Sequence, residues 1–216
     1  MSVSILIPTF NRKRFEALIR YNIQIQDYPH ITAIIIADDG HERLDLGDLP
    51  IQVFYYNVDR MTIGAKRNFL VSRATSRYCA FFDTDDFYHP RRISESVQVL
   101  VDSGMKVTGS ANMDLYSGGV VYSQRCLYLD MLNEATLVFD THYGHNHYFG
   151  DVMAGEGMGF CSTRYIVESP LNMLCIAHDS NTVSKDAWLT TPGDQSLLEP
   201  YRDHFQYLPN LEITKI

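Results

Sequence analysis

A run of five apolar or aromatic residues that ends in a cluster of acids constrains this chain more than any other feature. The run covers residues 78–82 (YCAFF), and Asp83-Thr84-Asp85-Asp86 follows it directly. A strand that is buried on both faces needs such a continuous apolar run. The sequence therefore predicts that the carboxylates lie at the carboxyl end of a buried strand, which is the edge where open α/β sheets bind ligands.

The acid cluster predicts a cation site. Three acids within four positions repel one another unless a cation or hydrogen-bond donors share their charge, and carboxylate oxygens suit Mg²⁺ or Mn²⁺. The surrounding residues 60–92 also carry basic side chains, namely Arg60, Lys66, Arg67, Arg73, Arg77, Arg91 and Arg92. A metal ion together with guanidinium groups is an arrangement that binds a diphosphate.

The rest of the first half predicts alternating strands and helices. Apolar runs at 2–7, 31–37 and 51–56 predict strands, and helical spacing predicts a helix after Asn11, which we expect to cap it, and another over 63–74. A further helix is expected from Pro90, with Val101 on its apolar face, to Gly104. Alternating strands and helices imply right-handed crossovers, so we expect an α/β fold with a mostly parallel sheet.

The second half shows a less regular pattern, which predicts a more antiparallel region. Short candidate strands lie at 105–109, 119–123 and 135–139, and an apolar one lies at 173–177. The segment 141–150 (THYGHNHYFG) is expected to be a polar aromatic loop. Helices are expected from Thr163 and from about Asp194, which follows Pro192-Gly193.

Composition narrows the class of protein. The 216 residues suggest one domain or one domain with two lobes. The net charge of −8 argues against a nucleic-acid partner. We see no signal peptide or membrane span, so the cytosol is the expected location. The four cysteines are far apart without C-x-x-C spacing, so we expect them to be reduced and mostly buried: Cys79, Cys126, Cys161 and Cys175.

Four segments resemble the GT-A glycosyltransferases, most closely the family-2 type: 4–12 (SILIPTFNR), 34–40 (IIIADDG), 64–86 (GAKRNFLVSRATSRYCAFFDTDD) and 154–166 (AGEGMGFCSTRYI). The fourth is also similar to fringe-type enzymes. The resemblance implies one GT-A domain over 1–216, with a nucleotide-sugar-binding half at 1–104 and an acceptor-binding half at 105–216. The chain is short for the family, similar to compact members or to one domain of a longer protein.

The resemblance also implies an activity and a donor site. It implies a metal-dependent, inverting transfer of a sugar from a nucleotide-diphosphate sugar to a hydroxyl of a glycan or other acceptor, and a UDP-sugar is the expected donor. Thr9 and one of Asp38 or Asp39 would hold the nucleoside. Arg67 would lie near the diphosphate or brace Asp83. The remaining residues expected at the donor are Arg60, Lys66 and Thr84.

For the metal, Mn²⁺ or Mg²⁺, the family pattern implies Asp83 and Asp85 at the two D-x-D positions, and Asp86 is a further candidate. Several GT-A enzymes add a histidine from the C-terminal part of the chain, so His178 or His204 is expected as a third ligand. Each acid and histidine also has a structural interpretation, as a turn residue, a helix cap or a satisfied core side chain.

For the catalytic base, three acids stay open: Asp194, Glu156 and Asp151. Asp194 is an acid at a helix start, which is the position that the family uses, and the other two flank the glycine-rich segment at 155–159. Members of the family usually carry a Glu-Asp pair in this region, and this chain has none. Aromatic side chains of 141–150 and Trp188 are candidate platforms for an acceptor sugar.

Two other functions are compatible with parts of the pattern. A sugar-1-phosphate nucleotidyltransferase also uses a parallel sheet and a metal, but it normally has a glycine-rich loop after the first strand, where this chain has Pro8-Thr9-Phe10-Asn11. A non-catalytic module that binds nucleotide sugars or carbohydrates would retain the Asp83 and Asp85 cluster without the Glu-Asp pair.

Overall fold

Alternating strands and helices form the first half of the chain, as the sequence predicted. The computed structural model describes residues 1–125, 132–162, 164–170 and 172–209. In order come β1 (Val3–Thr9), α1 (Glu16–Gln24), β2 (Ile31–Asp38), β3 (Gln52–Asn57), α2 (Ile63–Arg73) and β4 (Tyr78–Phe81). Every residue of β1 and β4 is buried, which is why their sequences are continuous apolar runs rather than alternating ones.

The later elements are shorter and complete two sheets. They are β5 (Phe87–Tyr88), α3 (Arg92–Ser103), β6 (Val107–Gly109), β7 (Asn112–Ser117), β8 (Val120–Arg125), β9 (Val138–Asp140), α4 (Thr141–Asn146), β10 (Ile166–Glu168) and β11 (Met173–Ile176). Short 3-10 helices lie at Lys13–Phe15, Glu134–Thr136, Glu156–Gly159 and Asp186–Trp188, and a longer 3-10 segment covers Gln195–Tyr207.

The main sheet has seven strands in the order β10-β6-β9-β4-β1-β2-β3. Strands β1 to β4 pair in parallel, whereas β9 runs antiparallel between β4 and β6. A second sheet of four strands, in the order β5-β11-β7-β8, is mixed. The expected α/β class with a mostly parallel central sheet and a smaller mixed region is confirmed.

The helices bury the apolar faces that the sequence predicted, with small corrections at their ends. Phe15, Leu18 and Ile19 are fully buried against the sheet. Asn11 does not cap α1, because it adopts a φ of 50° and its side chain accepts from the backbone N–H of His41. Val101 was expected on the buried face of α3 and is 44% exposed.

The segment 141–150 is not the loop that we predicted. Its first six residues form α4, and the Asp140 side chain caps this helix by accepting from the backbone N–H groups of His142 and Tyr143. His147 stacks on Tyr143 at 3.8 Å between ring centroids, and the Nε2 atom of His145 lies 3.0 Å from the Val71 carbonyl. The segment therefore begins as a capped helix with Tyr143 buried, rather than as a mobile acceptor loop, while His145 and Tyr148 are exposed.

Two further predictions in the second half need correction. The helix expected from Thr163 is replaced by strand β10, and Thr163 itself lies outside the described residues. Strand β7 was not predicted, because its polar and partly exposed sequence NMDLYS has no apolar run.

The cysteines Cys79, Cys161 and Cys175 are free and buried, as expected, and Cys126 lies outside the described residues. No helix in the described ranges has the length and apolar character to cross a bilayer.

Candidate functional site

A cleft of about 620 Å³ opens at the carboxyl edge of the parallel strands, between the two sheets. One wall comes from the ends of β1 and β4 and the start of α2, which supply Thr9, Lys66, Arg67 and the acids 83–86. The opposite wall comes from β7, β8, β11 and the segment 181–188. The carboxylates thus lie at the sheet edge where the sequence placed them.

Among the acids of the cleft, Asp85 is the one that contacts both a histidine and an arginine. Its Oδ2 atom lies 3.0 Å from His178 Nε2 and 3.0 Å from Arg12 Nε. Burial opposes ionisation of this carboxyl, but the hydrogen bond from His178 and the charge of Arg12 outweigh it and lower the pKa of Asp85 to about 2. Asp85 is therefore a charged carboxylate already facing a histidine.

These two side chains fit a divalent metal ion. Carboxylate oxygen and imidazole nitrogen are both ligand types of Mn²⁺, and Asp85 Oδ2 and His178 Nε2 lie next to each other, joined by a 3.0 Å hydrogen bond that a bound ion would replace. Within the described ranges no group of three or more His, Cys, Asp or Glu side chains is arranged to hold a metal. A two-residue site suits an ion that shares its coordination sphere with substrate phosphates and water.

The other acids of the cluster face different partners. The Asp83 carboxylate lies 3.4 Å from Arg67 Nη2, and burial raises its pKa despite this cation. Asp86 Oδ1 accepts from the backbone N–H of Ile176, and burial together with the charges of Asp85 and Asp83 raises the pKa of Asp86 to about 8. Thr84 between them is buried and lines the cleft.

The residues expected at the nucleoside form one buried cluster beside this acid group. Asp39 Oδ1 is ion-paired with Lys66 Nζ, and Asp39 Oδ2 accepts from Arg60 Nη1 at 3.0 Å. Lys66 Nζ also donates to the Thr9 carbonyl at 2.8 Å, whereas the buried Thr9 Oγ1 has no hydrogen-bond partner in the described part of the chain. The Arg60 guanidinium lies 3.6 Å from the Phe10 ring centroid, so a flat cationic and aromatic surface borders the cluster.

Asp38 lies next to this cluster, and its carboxylate is already hydrogen-bonded to other groups of the protein. It is 1% exposed and is absent from the side chains that line the cleft. Its carboxylate accepts from the backbone N–H of Gly40 at 2.8 Å and from the Tyr55 hydroxyl. Of the two neighbouring acids, Asp39 is the one joined to residues of the cleft wall.

Arg67 links two acids in the floor of the cleft. Its Nε donates to Glu156 Oε1 at 2.9 Å, and its Nη2 faces Asp83. Its Nη1 is buried without a hydrogen-bond partner among the described residues, and Arg67 is one of the residues that line the cleft. A buried guanidinium with an unused N–H group can bind an anionic oxygen of a ligand.

The three acids predicted as bases occupy different places. Glu156 lines the cleft and is ion-paired with Arg67. Asp151 is exposed and accepts from the Thr62 hydroxyl, outside the lining of the cleft. Asp194 caps the segment Gln195–Tyr207 and is exposed, also outside the lining.

Of the two histidines predicted as metal ligands, only His178 reaches the acids. His204 is buried against Phe87, and its Nε2 lies 3.0 Å from the Tyr88 carbonyl oxygen. Trp188 lines the cleft and packs against Lys185, whose Nζ lies 4.7 Å from the indole centroid.

Sequence reasoning missed four charged residues of the cleft, Arg12, Arg125, Glu134 and Lys185. Arg12 reaches Asp85 over 73 positions of sequence, Lys185 lies in a segment without a motif, and Glu134 belongs to an unremarkable Asn-Glu-Ala stretch. Arg12 alone carried a signal, because it ends the segment 4–12 that follows β1 at the predicted ligand-binding edge.

Comparisons with known proteins concern the family and the fold. A family model described as Glycosyl transferase family 2 matches residues 4–162, well over half of the chain. Among curated protein sequences nothing matches.

Solved structures share the fold at low sequence identity. S. aureus TarS 1-349 in complex with UDP-GlcNAc has a TM-score of 0.63 and 14% identity over 99% of this chain and 68% of that chain. A second structure of S. aureus TarS gives 0.61 and 15%, and this chain covers 40% of its length. The mannosyltransferase PcManGT from Pyrobaculum calidifontis, in complex with GDP-Man and Mn²⁺, gives 0.59 and 12% over 86% of this chain and 58% of that chain. The similarity to fringe-type enzymes stays a prediction.

Proposed function

The chain belongs to glycosyl transferase family 2, and on that premise we propose that it is a metal-dependent, inverting enzyme that uses a UDP-linked sugar. It is a glycosyltransferase with the GT-A fold that the sequence predicted. The proposal concerns the finer points: the metal, the nucleotide, the stereochemistry and an acceptor hydroxyl on a glycan or other molecule.

The observation that carries the proposal is the pair of metal-type donors beside a set of cations. Asp85 and His178 present oxygen and nitrogen 3.0 Å apart, and Arg67 lines the same cleft with an unused buried N–H group. A bound Mn²⁺ or Mg²⁺ would supply Lewis-acid stabilisation of the diphosphate leaving group. Asp83 would lie next to the metal ion, near the ribose. Asp86 would lie behind the metal ligands without binding the ion itself.

The nucleoside end would be held by the buried cluster beside β1. Asp39 would accept from an N–H of the base, and Thr9 Oγ1, which is buried and unpartnered within the described residues, would gain a hydrogen bond. Lys66 and Arg60 would hold the Asp39 carboxylate in place, since both contact it. Asp39 is fully buried against Lys66 and Arg60, so a base would reach its carboxylate only after one of these two side chains moves.

The division of the chain into a donor-binding half and an acceptor-binding half, which the sequence led us to expect, stays a proposal. Residues 1–104 would bind the donor, and 105–216 would bind the acceptor through the second sheet and Trp188. The donor class is supported by the two neighbours whose structures contain UDP-GlcNAc and GDP-Man. A cytosolic location is likewise an expectation from the sequence.

A thermal-shift screen tests the proposal directly. The protein is heated with UDP-GlcNAc, UDP, GDP-Man, and dTDP and CMP sugars, each with and without Mn²⁺. A donor at 100 times its Kd stabilises the folded state by about 2.7 kcal/mol, which corresponds to a rise in Tm of about 5–11 °C at this chain length. We expect a UDP compound to give the largest shift and Mn²⁺ to increase it.

Turnover then separates the enzyme from its alternatives. Two results support the proposal. The donor that binds releases UDP, and NMR spectra show its sugar attached to an acceptor with the anomeric configuration inverted. Binding without turnover of any donor would favour the non-catalytic module. Formation of a nucleotide sugar from a nucleoside triphosphate and a sugar 1-phosphate would favour the nucleotidyltransferase.

A further inference from the structure

An antiparallel strand brings an unassigned acid, Glu134, into the cleft. Strand β9 runs against β4, so that Asp140 at the end of β9 pairs with Tyr78 at the start of β4. The residues before β9 therefore lie at the edge where β4 ends, which is the edge that carries Asp83. Glu134 begins the 3-10 helix directly before β9 and lines the cleft together with Asp83.

The surroundings of Glu134 suit a carboxylate that is held in place but is not neutralised. Its Oε1 accepts from the backbone N–H of Gly157 at 3.0 Å. A side chain at position 157 would not fit, because its Cβ would lie 2.8 Å from Oε1 and 2.9 Å from Cγ of Glu134. Gly157 thus leaves room for the Glu134 carboxylate and supplies its hydrogen bond.

Electrostatics favour proton uptake by Glu134. Burial and the neighbouring charge of Glu156 raise the pKa of Glu134, while Arg67 opposes the rise. A general base works best when its pKa is brought towards the working pH, because it then holds the proton that it removes. Glu156 differs, since its carboxylate is ion-paired directly with the Arg67 guanidinium.

We propose that Glu134 is the catalytic base of the transfer, which is an inference that rests on the proposed function. The acceptor oxygen attacks the anomeric carbon and its proton passes to the Glu134 carboxylate. The bond from the anomeric carbon to the diphosphate oxygen breaks at the same time, and its electron pair leaves with the nucleoside diphosphate. Glu156 is a positioning residue that orients Arg67 towards Asp83.

Glu134→Gln tests the assignment, because glutamine retains the shape and can still accept from the Gly157 N–H through its amide oxygen. We expect kcat to fall about 10²–10⁴-fold, the range that a general base contributes. The Kd for the donor nucleotide with Mn²⁺, measured by calorimetry, should stay within about twofold of the wild-type value. Glu134→Ala should show the same loss, and added formate should restore part of its kcat by replacing the missing carboxylate.

Glu156→Gln is the matched control, since it changes the other glutamate of the cleft in the same way. It should weaken nucleotide binding by releasing Arg67, and it should raise KM more than it lowers kcat. A Glu134→Gln enzyme that retains more than a tenth of the wild-type kcat overturns the assignment and leaves the proposed function intact. The assignment also fails if Glu156→Gln loses kcat at unchanged nucleotide Kd while Glu134→Gln does not.

Gly157→Ala provides a second variant that leaves both glutamates in the chain. Its Cβ would push the Glu134 carboxylate aside, so we expect kcat to fall at least tenfold with nucleotide Kd unchanged. An unchanged kcat in this variant, with a Tm that shows a folded protein, would count against the assignment. Absence of transfer by the wild-type protein with every donor in the screen would instead overturn the proposed function and this inference with it.

Discussion

Replacing Lys66 by methionine should destabilise the protein through the Asp39 carboxylate that it leaves behind. Both side chains are almost completely buried, with exposures of 4% for Lys66 and 0% for Asp39. Burial opposes both charges, since it raises the pKa of Asp39 and lowers that of Lys66. The pKa of Asp39 is nevertheless lower than usual, because Lys66 and the Met61 N–H donate to it. The Asp39 carboxylate is therefore kept charged mainly by the hydrogen bond from Lys66.

The magnitude follows from what remains around Asp39 after the change. Breaking a buried pair by removing one partner costs about 3–5 kcal/mol. Arg60 still contacts Asp39 at 3.0 Å, which favours the lower end. The hydrogen bond from Lys66 to the Thr9 carbonyl is also lost, which adds about 1 kcal/mol. We expect a loss of about 3–4 kcal/mol, or about 6–16 °C in Tm at this chain length.

Thermal and urea unfolding of Lys66→Met measure this loss, and two variants control it. Arg60→Met removes a cation that is 53% exposed and should cost less than about 1 kcal/mol. Asp39→Asn combined with Lys66→Met should be less destabilised than the sum of the single changes, because the unpaired charge is gone. A Lys66→Met protein within about 2 °C of the wild-type Tm would refute the reasoning.

The pH dependence of the same variant provides a further check on its cause. The lowered pKa of Asp39 means that its contribution to stability is complete above the unfolded-state value near 3.8 and is lost as pH falls through the folded-state pKa. The difference in stability between the wild type and Lys66→Met should therefore shrink below about pH 4. A constant difference down to pH 2 would show that packing of the lysine side chain, rather than its charge, is responsible.

Three other changes probe the metal site and the start of α2. Asp85→Asn should abolish the Mn²⁺-dependent part of nucleotide binding in calorimetry, because it removes the charged oxygen that faces His178; unchanged Mn²⁺ dependence would contradict the site. Arg12→Leu should tighten Mn²⁺ binding measured without nucleotide, since Arg12 occupies the same Asp85 oxygen, and weaker binding would show that Arg12 braces the ligand instead. Gly64→Ala should lower the Tm by about 2–12 °C through overpacking, because its Cβ would lie 1.7 Å from the Gly150 carbonyl oxygen; a Tm equal to that of the wild type would refute this close contact.

The most direct predictions from the sequence concern the strands whose residues are buried on both faces. The apolar runs that became β1, β2 and β4 leave few alternatives, because only a covered strand can accommodate them. Strand β7 escaped prediction because most of its residues are only partly buried and several are polar. Helix α4 was missed because its stability comes from the Asp140 cap and from packing against α2, and neither is visible as a periodic pattern.

The same distinction explains which cleft residues could be predicted. Asp83 and Asp85 follow a strong strand signal, so their position at the sheet edge was available from the sequence. Glu134 enters the cleft only because β9 runs antiparallel, and that direction is set by tertiary pairing with β4 and β6. Gly157 was visible as one glycine of a glycine-rich segment, but its role depends on a neighbour 23 positions away. A local motif cannot report such a partner.

The proposed metal site joins parts of the chain that no single segment contains. Asp85 comes from the end of β4, Arg12 from the turn after β1, and His178 from the turn after β11. His178 lies beyond residue 162, where the family match ends, so the proposed site extends past the matched segment. The segment after β11 is held to the first turn by Arg12 and Arg14, which bond to the Ser180 carbonyl and the Asp179 carboxylate. The affinity for a metal ion should therefore depend on the contacts between the turn after β1 and the turn after β11 as much as on the acid cluster.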